Sequence, residues 1–163
     1  MLTSQLWAET LVKSIPMQIS AVIKNGCILN GSVTSGVSLG TIRFGAVALN
    51  QPAYAISSEN AGSVMLQCTP GTQVSIALNA GKHANNIEGG RKLRQANTGD
   101  TLLYQLYQDA AYTKIWGNNV GSSLSMTATG GKDTLIVYAK LMPIASFPSA
   151  GSYQDTVTVT VTY

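Results

Sequence analysis

The chain has 163 residues, a formal net charge of +3, 45% hydrophobic residues and only 10% charged ones, a balance that suits one domain able to bury a core without metal or many disulfides. Its ten basic residues are spread out, with only Arg91, Lys92 and Arg94 grouped, so the dense basic stripe of a nucleic-acid binder is missing and no nucleic-acid partner is expected. No stretch approaches the length of a transmembrane helix.

The start, 1–8, contains Leu6-Trp7-Ala8 and reads either as the tail of a secretory signal or as a short disordered leader. Residues 9–24 form an N-terminal extension. Within it Ile15, Met17, Ile19, Ala21 and Ile23 alternate with Pro16, Gln18, Ser20, Val22 and Lys24, the period of a strand with one apolar face. Pro16 cannot give a ladder hydrogen bond. Any strand made here therefore begins at Met17, or holds Pro16 at a bulge or at its outer end.

Asn25-Gly26 signals a turn, Cys27-Ile28-Leu29 follows, and Asn30-Gly31-Ser32 signals a loop. Residues 39–45 read as a compact strand and 50–61 as a polar loop. Val64 to Cys68 and Val74 to Leu78 alternate cleanly and are joined by Thr69-Pro70-Gly71-Thr72, so they are expected to pair as a hairpin across a Pro-Gly turn. Residues 79–100 are a long polar excursion around a short strand at Arg91 to Gln95. Further strands are expected at Leu102 to Gln108, Thr113 to Trp116, Leu124 to Thr129 and Thr134 to Leu141, with Leu135, Val137, Ala139 and Leu141 on one face. After a loop from Pro143 to Gly151 the chain reaches its most regular strand, in which Val157, Val159, Val161 and Tyr163 form an apolar row. With 16 glycines, few charges and almost no helix signal, the pattern predicts an all-β sandwich of immunoglobulin-like topology over 25–163.

Cys27 and Cys68 are the only cysteines, without the spacing of a metal site. A lone long-range pair in a β-protein suits a structural disulfide and an oxidising compartment; the other reading is two buried, unpaired thiols. Chemistry is sparse. His83 is the only histidine and reads as a solvated loop residue, since no nucleophile motif accompanies it. Asp100, Asp109, Asp133 and Asp155 stand beside turns or strand ends, where such side chains bond local backbone amides. Trp116, Tyr104, Tyr107 and Tyr138 fall on strands and read as packing. No cofactor, metal or catalytic residue is expected. The two terminal runs allow two readings: they pair with each other in a closed sandwich, or each seeks a partner in another molecule.

Five short stretches resemble the spore coat U-like family, which includes the pilins of archaic, Csu-type chaperone–usher pili. They are Gly40-Thr41-Ile42-Arg43-Phe44-Gly45, Cys68-Thr69-Pro70-Gly71-Thr72, Leu103 to Ala111, Trp116-Gly117 and Ala150 to Val157, in the family's order. The resemblance implies an incomplete immunoglobulin-like sandwich that lacks its last strand and has an N-terminal donor-strand extension. A periplasmic chaperone would lend a strand to the groove, and an outer-membrane usher would exchange it for the N-terminus of the next subunit, a form of strand addition. By position, Ile15, Met17, Ile19, Ala21 and Ile23 are then the donor strand, and Val157, Val159, Val161 and Tyr163 line the acceptor groove. The expected role is a non-enzymatic structural pilin, exported through the periplasm to an extracellular pilus and acting in surface adhesion and biofilm formation. The alternative is a stand-alone secreted sandwich that binds carbohydrate or another surface ligand.

Overall fold

The computed structural model describes residues 16–163, and Ile15 and the leader lie outside the described residues. Every element is a strand: β1 Cys27–Leu29, β2 Ala53–Ile56, β3 Val64–Cys68, β4 Gln73–Leu78, β5 Arg91–Gln95, β6 Thr101–Tyr107, β7 Leu124–Thr127, β8 Asp133–Leu135, β9 Tyr138–Leu141, β10 Tyr153–Gln154 and β11 Val159–Thr162. They form sheets in the orders β1-β3-β8, β10-β5-β6-β9-β2 and β11-β4-β7, and every pairing is antiparallel.

The alternation in the sequence explains the core. Val64 and Leu66 of β3, Val74, Ile76 and Leu78 of β4, Leu102, Tyr104 and Leu106 of β6, and Ala139 and Leu141 of β9 are buried in one apolar cluster. Period-two patterning sends them all inward, while Gln105 of β6 and Arg91 of β5 are polar residues buried with them. The pattern survives where a run changes sheet. Residues 134–141, expected as one strand, divide into β8 and β9 in different sheets, yet Val137, Ala139 and Leu141 are all buried.

Several expectations are corrected. β3 and β4 do not pair: β3 lies between β1 and β8, and β4 between β11 and β7. The turn between them does form, with Thr72 N bonded to Thr69 O at 3.2 Å and Gly71 at a φ of 79°, as Pro and Gly at its centre dictate. It passes the chain from one sheet to another. The β7–β8 connection changes sheets beside it, tied on by Gly71 N to Ala128 O and Ala128 N to Thr72 O. Residues 39–45 form no strand, having a single bridge from Gly40 to Ala61, although Leu39, Ile42 and Phe44 do pack on the core. Residues 113–116 make one bridge, Tyr107 to Ile115, and no strand. The polar loop expected over 50–61 contains β2, set between Asn50 and Asn60, both in the left-handed region at φ values of 58° and 60°.

Cys27 stands directly opposite Cys68 in the β1–β3 register, and the two are joined in a disulfide with Cα atoms 4.1 Å apart. Beyond it, Leu29 and Ser32 exchange both backbone bonds at 2.9 Å around Asn30-Gly31, both at positive φ. This is the two-residue hairpin that Asn-Gly favours.

Candidate functional site

The two terminal segments have opposite surroundings. Residues 16–26 belong to no strand, and Met17, Ile19 and Ile23 are 80%, 85% and 87% exposed. Ala21 and the out-of-phase Val22 are exposed too. A row of large apolar side chains this open to water is held by nothing in the described part of its own domain. Soluble proteins rarely leave such surface uncovered without a partner for it.

At the other end β11 is the edge strand of its sheet, bonded only to β4. Its register places Val159 opposite Leu78 and Val161 opposite Ile76, both core residues. Val157, Val159 and Val161 pack against the core but are only half-buried. Tyr163, expected in the same row, is 59% exposed and outside that cluster. An edge strand with a free ladder on one side and half-covered valines beneath is the local geometry that strand addition completes.

β11 is also firmly placed. Asn79 extends its ladder, giving its backbone N–H to Thr158 O at 3.1 Å and accepting Thr158 N–H on its side-chain oxygen at 2.9 Å. Between β10 and β11, Asp155 accepts the Tyr104 hydroxyl at 2.6 Å and the backbone N–H groups of Lys82 and Thr156 at 2.8 Å. Burial, reinforced by this bond, pushes the Tyr104 hydroxyl far above its ordinary range. Behind β4, Arg91 is completely buried. It donates to the carbonyls of Asn79 at 2.8 Å, Leu78 at 3.0 Å and Trp116 at 2.7 Å, and to Gln105 Oε1. Burial lowers its pKa, with Tyr104 and Asp155 acting in the opposite sense. Trp116, also fully buried, donates its indole N–H to Ile76 O at 2.9 Å.

Asp109 and Asp133 have the local roles expected of them, accepting from Thr113 and Lys114 and from Thr129. Asp100 does not: it accepts from the Ser149 N–H, 49 positions away, and ties the turn after β5 to the loop before β10. The Lys114 amide is the largest influence holding the Asp109 carboxyl below its usual range, and a bond to Ser149 does the same for Asp100. Among the described residues no cluster of three His, Cys, Asp or Glu side chains could hold a metal ion. Tyr104, Tyr107 and Trp116 are buried as packing residues, and Tyr138 is half-buried. Arg91 and Asp155 as anchors were not foreseen. Arg91 shares the inward parity of Leu93 on β5, a clue to its burial; the span from Asp155 back to Tyr104 carries no sequence signal.

Comparison with known proteins agrees with this architecture. The chain is 29% identical over 163 residues to Protein U of Myxococcus xanthus, covering 96% of this chain and 88% of that protein. Its fold is similar to a chain in the crystal structure of the CsuC-CsuE chaperone-tip adhesion subunit pre-assembly complex from archaic chaperone-usher Csu pili of Acinetobacter baumannii, with a TM-score of 0.55 and 20% identity. That likeness covers 86% of this chain and 40% of the solved one, so this chain spans less than half its length. The model of the Spore Coat Protein U domain matches residues 14–160, most of the chain; the protein belongs to that family.

Proposed function

We propose that this chain is a structural subunit of a chaperone–usher pilus that polymerises by donor-strand complementation. In this reading residues 1–8 are residual leader, 9–24 the donor extension and 25–163 the pilin domain. The observation that carries it is the presence in one chain of an exposed, unpaired, alternating N-terminal segment and an edge strand whose inward valines are half-covered. Ile15, Met17, Ile19, Ala21 and Ile23 of one copy add to the free side of β11 in the next, against Val157, Val159 and Val161, with Tyr163 closing over the insert. The relative taken from a chaperone–subunit complex of Csu pili supports the same assembly route.

Burying Met17, Ile19 and Ile23 contributes on the order of 5–9 kcal/mol before ordering costs, an upper bound since a free segment is already partly collapsed. Backbone bonds to β11 add to that. Because the contact is head-to-tail and does not close, it generates a fibre. A periplasmic chaperone covers the acceptor edge until an outer-membrane usher exchanges it for the next donor. The pilus then acts outside the cell in surface adhesion and biofilm formation, and the subunit has no catalytic task.

Size-exclusion chromatography with light scattering on periplasmically expressed protein tests this, with and without residues 9–24 and with or without the chaperone. Polymers that vanish with the extension, and solubility that depends on the chaperone, are expected. A monomer in every condition would overturn this reading in favour of the stand-alone ligand-binding sandwich.

A further inference from the structure

The 79–100 region holds the chain's only histidine and its only basic cluster, and strand exchange uses neither. Here the loop after β4, the end of β5 and the approach to β10 surround a cleft of about 670 Å³, within the size range of small-molecule sites. It is lined by His83, Arg94, Gln95, Asn97, Ser152 and Gln154, and by no carboxylate.

The cleft is built on a fixed frame. Arg94 is held in β5 between Thr101 of β6 and Gln154 of β10, so Gln154 shares its face of the sheet, and its guanidinium lies against Gly99. Gly151, at a φ of 147°, comes so close to Gln95 that any side chain there would collide with its amide. Gln95 is spent internally, donating to Ala150 O at 2.8 Å and accepting from Thr98. Arg94, His83, Asn97, Ser152 and Gln154, in contrast, have no hydrogen-bond or ion-pair partner among the described side chains, where Lys132–Glu59 is the one ion pair. Neither Asp100 nor Asp155 forms an ion pair with Arg94; Asp100 accepts from the Ser149 backbone N–H at 2.8 Å, and Asp155 from the Tyr104 hydroxyl and the Lys82 backbone N–H.

We infer that this cleft binds a carboxylated sugar, a uronic-acid unit of an anionic polysaccharide, with Arg94 taking the carboxylate. The guanidinium fork matches a carboxylate in two parallel bonds. The amides of Asn97 and Gln154 and the Ser152 hydroxyl both donate and accept, as ring hydroxyls require. Inorganic phosphate could accept from the same donors, but it lacks the array of ring hydroxyls that would also use the amide oxygens of Asn97 and Gln154. No residue of β11 or of 16–24 lines the cleft, so the inference stands or falls separately from polymerisation.

The test is calorimetric titration of the full chain at low salt with a tetramer of galacturonic acid, its methyl ester, a neutral glucose tetramer and inorganic phosphate. Saturable binding of the uronate alone is expected, weakened at least about tenfold by Arg94→Gln. Asn97→Ala should weaken uronate binding as well, and thermal unfolding of both variants should match the parent, because both side chains are exposed. Equal affinity for the methyl ester, unchanged affinity in either variant, phosphate binding as tight as the uronate, or no uronate binding would each overturn the inference.

Discussion

Two buried polar residues set the energetics around β4. Arg91 donates to three backbone carbonyls, those of Leu78 and Trp116 buried and that of Asn79 partly buried, so Arg91→Met should destabilise the domain by about 3 kcal/mol and lower Tm by several degrees. Thr72 is the reverse case. Its Oγ1 is buried with no hydrogen-bond partner, while its backbone N–H and C=O are both bonded. Thr72→Val keeps the shape and removes the stranded hydroxyl, so it should stabilise by about 1 kcal/mol, read as a Tm rise of about 2–4 °C by calorimetry. Arg91 shows how a residue can be half legible. The alternation Arg91, Leu93, Gln95 marks all three as one face of β5, but which face is inward, and that carbonyls from β4 and the Trp116 segment meet there, is decided by contacts across 13 and 25 positions of sequence.

At the scale of elements, the disulfide and the sheet-changing turns hold the frame. Cys27→Ser opens a link across a separation of 41 residues, which should cost about 4 kcal/mol in the chain-entropy model and lower the yield of folded subunit; unchanged yield and Tm would mean the bond contributes nothing. Gly130, at a φ of 90°, has Pro70 Cγ 2.5 Å from where a Cβ would lie. Gly130→Ala should therefore cost about 1–3 kcal/mol by separating the two adjacent turns, measurable as a lower urea midpoint. Strand runs and inward faces were readable because side-chain period depends only on local backbone. Pairing was not. A Pro-Gly turn between two alternating strands predicts a hairpin, but β3 and β4 find other neighbours in different sheets, and a turn signal does not encode which sheet the next strand joins. The stretch 39–45 fails as a strand for the complementary reason. Its side chains Ile42 and Phe44 reach the core, but no strand lies alongside to complete a ladder.

For the molecule as a whole, both ends of the candidate site were visible in the sequence as alternation, because each is a strand pattern without its partner. Their exposure and half-burial needed the fold, since the same valines on a central strand would be covered. Ile19→Asp should abolish polymer formation while leaving the Tm of the chaperone-bound subunit unchanged, because Ile19 is 85% exposed and lies outside the core cluster of the described residues. Normal fibre yield from that variant would remove Ile19 from the donor strand.

The most direct measurement is amide hydrogen exchange on the chain lacking residues 9–24, held soluble by its chaperone, before and after a synthetic peptide of residues 9–24 displaces that chaperone. The account predicts lasting protection along 157–163 and a complex that survives removal of free peptide, with the Ile19→Asp peptide giving neither. Unprotected β11 amides in the presence of the peptide, or equal protection by the Asp-bearing peptide, would contradict it.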